Sequence, residues 1–223
     1  MKVDKKLLPF IIISVLHLVS LAGGFVLIGM VTKPILIPSL LFYFLKTTPD
    51  SPLNRYISIA LFFSFLGDTL LMFAERNSIF FLTGLISFLL AHMVYIVVSM
   101  SAKSVYEKGI KPQWQDIPFL LYGLLMFSAI KDGLGDMYFP ALAYTVIICL
   151  MAIMARKRWK KSDNQSFWLV MIGASFFVVS DSILAVNRFL GEFEMSNLAI
   201  MTTYLLAQFL LVEGYKRFVE KLS

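Results

Sequence analysis

Two carboxylates stand where carboxylates are costly. Asp68 and Asp181 lie well inside stretches that are otherwise apolar, and an ionisable group in hydrocarbon is unfavourable unless it faces a partner or water. A pair of such groups can hold, donate and accept a proton. That is the chemistry of general acid–base catalysis, and equally of a proton-coupled carrier; the plainer role is to pin helices by pairing with a Lys, Arg or Tyr. Further polar candidates surround them. His92 stands four residues after Phe88 and three before Tyr95 on an uncharged stretch, placed for an interhelical hydrogen bond or for a proton relay. Arg188 follows Asp181 by two helical turns, so the two share a face, with Asn187 beside them. Lys33, just before Pro34, and Arg188 are expected at the outer ends of their helices. There they either snorkel to the interface or hold an anionic head group, arginine through its paired donors. Tyr144, Tyr204 and Gln208 can each donate a hydrogen bond, into a cavity or between helices. His17 is expected to be structural.

Other chemistries lack their residues. One cysteine, Cys149, and two histidines, His17 and His92, leave no basis for a disulfide framework, a cysteine-rich zinc site, an iron–sulfur cluster or a multi-histidine metal site. No Gly-x-Ser-x-Gly, P-loop, His-Glu-x-x-His or nucleotide-binding glycine pattern is present. The expectation is an activity with no metal and no cofactor.

The elements that must position these residues follow from composition. The 223 residues are 59% hydrophobic and 15% charged, with a mean hydropathy of +0.80, far from a soluble domain. Uncharged or nearly uncharged stretches recur at residues 7–30, 34–45, 56–74, 78–101, 117–130, 137–155, 167–187 and 195–212. At roughly 20 apolar residues per crossing these predict an all-α polytopic membrane protein, eight transmembrane helices in a single transmembrane domain over residues 1–223; seven is the competing count. The second and fifth stretches are short and carry Pro34, Pro38 and Pro118, so tilting, breakage or extension into the flanks is expected there. The basic start and small residues at Ala22–Gly24 mimic a signal peptide, but the apolar run is too long and more spans follow, so it reads as the first helix.

Eight crossings place both termini on one side. That side then carries sixteen of the twenty Lys and Arg residues, and the other only Lys33, Arg76, Lys131 and Arg188. The imbalance predicts cytoplasmic termini in a cell (inner) membrane. The net charge of +6 therefore reads as topology, not as nucleic-acid binding, and the run 156–161 as its strongest signal, with anionic lipid as a second use. Placed this way, Asp68 and Asp181 precede the outer ends of their helices by roughly 9 and 12 Å.

The chain also echoes itself. Gly67-Asp68-Thr69-Leu70-Leu71 resembles Ser180-Asp181-Ser182-Ile183-Leu184, and Phe88-Leu89-Leu90-Ala91-His92 resembles Tyr204-Leu205-Leu206-Ala207-Gln208, in the same order. The matches suggest two four-helix repeats in parallel orientation, 1–101 and 112–223. Asp68 would then face Asp181, and His92 face Gln208, around one cavity.

These residues carry a resemblance. Thr32-Lys33-Pro34, Gly67-Asp68, Gly84-x-x-x-Phe88-x-x-x-His92-x-x-Tyr95, Ser180-Asp181-x-x-Leu184-Ala185 with Arg188-Phe189, and Tyr204-x-x-x-Gln208 together resemble the YhhN-type lysoplasmalogenase family of eight-helix membrane proteins, over essentially the whole chain. The resemblance implies hydrolysis of the vinyl ether bond of lysoplasmalogens to a fatty aldehyde and a glycerophospho-ethanolamine or glycerophospho-choline, with lysophospholipid and water as partners. The family's paired catalytic aspartates match Asp68 and Asp181. Lys33, His92, Tyr95, Tyr144, Asn187, Arg188, Tyr204 and Gln208 are then the substrate-binding candidates. A vinyl ether needs only one acid and one base or counter-ion, because protonation of its terminal alkene carbon yields an oxocarbenium ion that water attacks. Two aspartates that cannot easily both ionise would divide those roles, with Asp181 expected as the acid. A proton-coupled carrier and a membrane scaffold remain the alternatives from other classes.

Overall fold

The computed structural model describes residues 4–101 and 111–222. Of the sixteen basic residues counted to the terminal side, Lys2, Lys103 and Lys108 lie outside the described residues. Eight α-helices run in chain order: α1 Leu8–Ala22, α2 Val26–Thr47, α3 Pro52–Leu71, α4 Ser78–Met100, α5 Ile117–Ile130, α6 Tyr138–Arg156, α7 Asn164–Phe189 and α8 Ser196–Leu222, with no strand among the described residues. Six are long and apolar enough to cross a membrane: α1 with its preceding turn, α2, α4, α6 with its preceding turn, α7 and α8. The protein is an all-helical, multi-pass membrane protein.

Local chemistry sets the helix starts. Ser51, Asn77 and Asp163 each cap a helix by accepting from a backbone N–H two or three residues on, satisfying donors a helix leaves open at its start. One boundary departs from expectation. The first apolar stretch is not one helix through residue 30. It breaks at Gly23-Gly24, where Gly24 takes φ +69°, a turn conformation that glycine adopts without a Cβ clash. The second helix accordingly begins at Val26, runs to Thr47 and passes through both Pro34 and Pro38. Lys33 therefore lies about two turns inside α2 and not at its outer end. At the other short stretch α5 keeps its expected bounds and is flanked by single 3-10 turns, Trp114–Asp116 and Lys131–Gly133.

Small residues bring the helices close enough to exclude solvent. A Cβ on Gly173 of α7 would sit 2.9 Å from the Leu211 backbone N and 3.1 Å from the Ala207 carbonyl of α8. Gly67 of α3 is packed against the Phe88 ring of α4 in the same manner. Such contacts supply the van der Waals contact that holds helices together in lipid. The basic run 156–161 does more than mark a side. Arg156 donates to Asp116 at 2.6 Å and Lys157 donates to it at 2.8 Å, clasping the end of α6 to the start of α5. Arg158, fully buried, donates to Ser166 at 2.7 Å and lies over the rings of Tyr215 and Phe218.

Candidate active site

A cavity of about 260 Å³ opens among α2, α3, α4, α7 and α8 near the α3–α4 and α7–α8 connections. Helical spacing dictates which side chains line it. From α7 come Ser180, Asp181, Leu184, Asn187 and Arg188; from α8 come Asn197, Ile200, Met201 and Tyr204. Both series follow the three-and-four spacing of one helix face. Asp68 enters from α3 and Lys33 from α2, with Phe81 and Phe88 of α4 as apolar wall.

The two aspartates thus share one cavity, each carboxylate held from a neighbouring helix. Asp68, 3% exposed, accepts from the Tyr204 hydroxyl at 2.7 Å. Asp181 accepts from the Tyr144 hydroxyl. Each aspartate does tie two helices together through a tyrosine, α3 to α8 and α7 to α6, as the plainer reading anticipates, and each also faces open space. Their depths differ from the sequence expectation on one side. α3 ends at Leu71, three residues after Asp68, because the chain turns through residues 72–76, so Asp68 is nearer its helix end than Asp181.

His92 is wholly buried. Its Nδ1–H donates to the Phe88 carbonyl at 2.5 Å, and its Nε2 lies 3.6 Å from Asp181 Oδ2 with no hydrogen-bond partner. The ring is wedged against Phe177 and Tyr144. Lys33 reaches the cavity wall that it shares with Asp68. Its approach is set one residue earlier, where Thr32 receives the Nδ1–H of His17 at 2.8 Å and joins α1 to α2, the structural place expected for His17. At the mouth, Arg188 lies over the Phe81 ring at 4.8 Å, and the Asn187 side chain accepts from the Phe193 backbone N–H at 3.3 Å.

Tyr95 and Gln208 do not line the cavity. They form the layer beneath it, where the Tyr95 hydroxyl donates to Gln208 Oε1 at 2.9 Å and Gln208 Nε2 donates to Ser64 at 3.0 Å, one turn below Asp68. Both are completely buried. Residues not anticipated include Ser180, Asn197, and the mouth carboxylates Glu75 and Glu192. For Ser180 and Asn197 the two-turn helical spacing from Asn187 and Tyr204 was the available signal. Glu75 and Glu192 sit in connections, where no periodicity points inward. Among the described residues no group of three His, Cys, Asp or Glu side chains is arranged to hold a metal.

Fold and site define a class: multi-pass helical membrane proteins with a cavity between the helices lined by two carboxylates. Within it the YhhN family profile matches residues 28–215, and the chain belongs to the YhhN family. It is similar to the human lysoplasmalogenase TMEM86A, 28% identical over 162 residues that cover 71% of this chain and 64% of the relative. The bovine lysoplasmalogenase TMEM86A is 27% identical over 171 residues, 75% of this chain and 67% of the relative. The human lysoplasmalogenase TMEM86B is 28% identical over 167 residues, 74% and 65% of the two chains. The chain spans about two thirds of the length of these curated relatives. No solved structure matches.

Proposed function

We propose that the protein is a membrane-embedded hydrolase cleaving the vinyl ether bond of lysoplasmalogens to a fatty aldehyde and a glycerophospho-ethanolamine or glycerophospho-choline. The observation that carries the reading is the shared cavity of Asp68 and Asp181, each oriented by a tyrosine, taken with the lysoplasmalogenase relatives. The geometry supports a division of the roles. With its Nδ1–H given to Phe88, neutral His92 presents an Nε2 lone pair to Asp181, an arrangement that favours a proton between the two. Both aspartates accept from a tyrosine, but Asp68 also shares its wall with Lys33, a cation that suits a carboxylate. Asp181 then delivers its proton to the terminal alkene carbon. The resulting oxocarbenium ion faces the Asp68 carboxylate, which takes a proton from the water adding to the ether carbon. In the hemiacetal, Asp68 returns that proton to the glycerol oxygen as the C–O bond breaks, while Asp181 accepts the hydroxyl proton. Both side chains regain their starting states. This resembles the division of labour of carboxylate pairs that pass through oxocarbenium states in glycoside cleavage.

Arg188 and Asn187 at the mouth suit a phosphate-bearing head group. The same proposal takes residues 1–223 as one transmembrane domain with eight crossings and cytoplasmic termini in the cell membrane. Mirrored contacts support two parallel repeats. Phe88 and Tyr204, counterparts in the sequence echo, meet edge to face at 5.8 Å. Gln208 bonds Ser64, four residues before Asp68, while His92 packs on Phe177, four residues before Asp181, at 4.6 Å. The Gly67–Gly84 approach is echoed by Ser180 donating to the Ile200 carbonyl.

The reading is tested by incubating detergent-purified protein with a lysoplasmenyl lipid and with its saturated ether analogue, with a chelator present. Aldehyde from the vinyl ether alone is expected. No aldehyde across head groups, together with proton flux in proteoliposomes, would put a carrier in its place. The layer under the aspartates favours the hydrolase, since the Gln208 amide and the stacked Tyr95 and Tyr215 rings fill it, and an amide is a poor proton relay.

A further inference from the structure

Asp181 borders more than the polar cavity. Two smaller crevices, of about 60 and 50 Å³, also end on it from the α5 and α6 side. Their walls are mostly apolar: Met126 and Ile130 from α5, Ile148 from α6, Val178 and Ala185 from α7, and Leu85 from α4. The three spaces adjoin one another in series through shared walls. The polar cavity and the 50 Å³ crevice share Phe81, Asp181 and Leu184. That crevice and the 60 Å³ one share Ile130, Tyr144, Thr145 and Ala185. Asp68 lines the polar cavity and neither crevice.

The series ends at α5, the shortest helix at 14 residues. Leu120, Leu121, Leu124 and Leu125 on its outer side are more than half exposed, as befits a surface against lipid. Tyr122 of α5 donates to Ser182 of α7 at 2.8 Å, bridging the two helices beside the 60 Å³ crevice.

We infer that this seam between α5 and α7 is the binding site for the single hydrocarbon chain of the substrate, which runs from Asp181 past Ala185 and Ile130 to the lipid. The inference rests on the lysoplasmalogenase reading and adds a direction to it. In a lysoplasmalogen the vinyl ether joins a polar glycerophosphate to an apolar chain, so its two carbons must straddle a polar–apolar boundary. Asp181 stands on that boundary and Asp68 on the wet side. The substrate therefore lies with its chain-side alkene carbon against Asp181, the carbon that must receive the proton, and its ether carbon toward Asp68, where water is admitted. Chain burial in such a site is non-directional and scales with apolar area, so the seam selects for length and not for double-bond chemistry.

The test uses the whole purified protein. A saturated lyso-ether lipid carrying a mid-chain diazirine, which cannot be hydrolysed, is photolysed on it, and labelled peptides are mapped by mass spectrometry. Label is expected on the α5 and α7 segments around Met126–Ile130 and Val178–Ala185. In parallel, Ala185→Leu and the bulkier Ala185→Phe fill the junction of the crevices, and the ratio of kcat/KM for a long-chain over a four-carbon lysoplasmenyl lipid is expected to fall at least about tenfold. The leucine variant keeps the test alive where phenylalanine prevents folding. An active wild type whose label maps to α1 and α2, or whose chain-length ratio neither variant changes, overturns the chain path alone. A wild type inactive on both chain lengths overturns the hydrolase reading and the path with it.

Discussion

His92 Nε2 faces Asp181 Oδ2 at 3.6 Å while its Nδ1–H is committed to the Phe88 carbonyl at 2.5 Å. The ring packs against Phe177 and Tyr144, with centroids 4.6 and 5.4 Å away, which opposes its turning away. A buried lone pair aimed at a carboxylate costs free energy unless a proton joins the two. In the proposed reaction His92 therefore positions the proton of Asp181. His92→Gln should lower kcat by about 100-fold, the scale of general acid catalysis, with KM within about threefold and an altered pH profile of kcat. A purely packing role would leave the pH profile unchanged.

The tyrosines make a separable prediction. Tyr204→Phe and Tyr144→Phe each remove one hydroxyl from one carboxylate and leave the ring packing in place. Each should reduce kcat by about tenfold, a single donor's worth of about 1.4 kcal/mol, without loss of folded protein on size-exclusion chromatography. Full activity in both would show that the carboxylates need no orientation.

Arg188 borders the cavity at its mouth, over the Phe81 ring. Arg188→Ala should raise KM for a lysoplasmenyl lipid by about tenfold with kcat nearly constant, as expected for an interaction made equally in ground and transition states. Steady-state kinetics in mixed micelles checks it, and a fall in kcat at constant KM would argue against head-group binding.

Stability at acid pH should depend on Asp116, outside the spans. Burial pushes its carboxyl up, but the bonds from Lys157, the Gln113 backbone and Arg156 outweigh that and hold it below the usual range. A carboxylate with a depressed folded-state pKa contributes stability above its unfolded value of about 3.9, and loses it as pH falls through the folded value. Asp116→Asn should lower stability at neutral pH by on the order of 2 kcal/mol. The Tm values of wild type and variant should begin to converge as pH falls below about 4. A constant Tm gap across pH would contradict the assignment.

How much of this was legible in the sequence depends on the kind of signal. Helix α5 begins and ends where the apolar stretch does, and the α7 face carrying Asp181 and Arg188 follows from spacing alone. The break at Gly23-Gly24 was not legible, since hydropathy does not register a turn made of glycine inside an apolar run. Lys33 was displaced from its true position for that reason. Periodicity also tells face and not depth, so Tyr95 and Gln208 appeared equivalent to Tyr204 although they lie in the layer below. The crevices beside α5 arise from side-chain volumes across three helices, which no single segment encodes.

In the proposed mechanism Asp68 and Asp181 act together on one vinyl ether. The most direct test is aldehyde release from a lysoplasmenyl lipid by wild type, Asp68→Asn and Asp181→Asn at matched protein, each shown folded by size-exclusion chromatography and circular dichroism. Both variants should fall by about 1,000-fold or more, within the range for losing an essential acid or base. Either variant retaining more than about a tenth of wild-type activity, above even the single-donor loss, would remove that aspartate from the chemistry and contradict the paired mechanism.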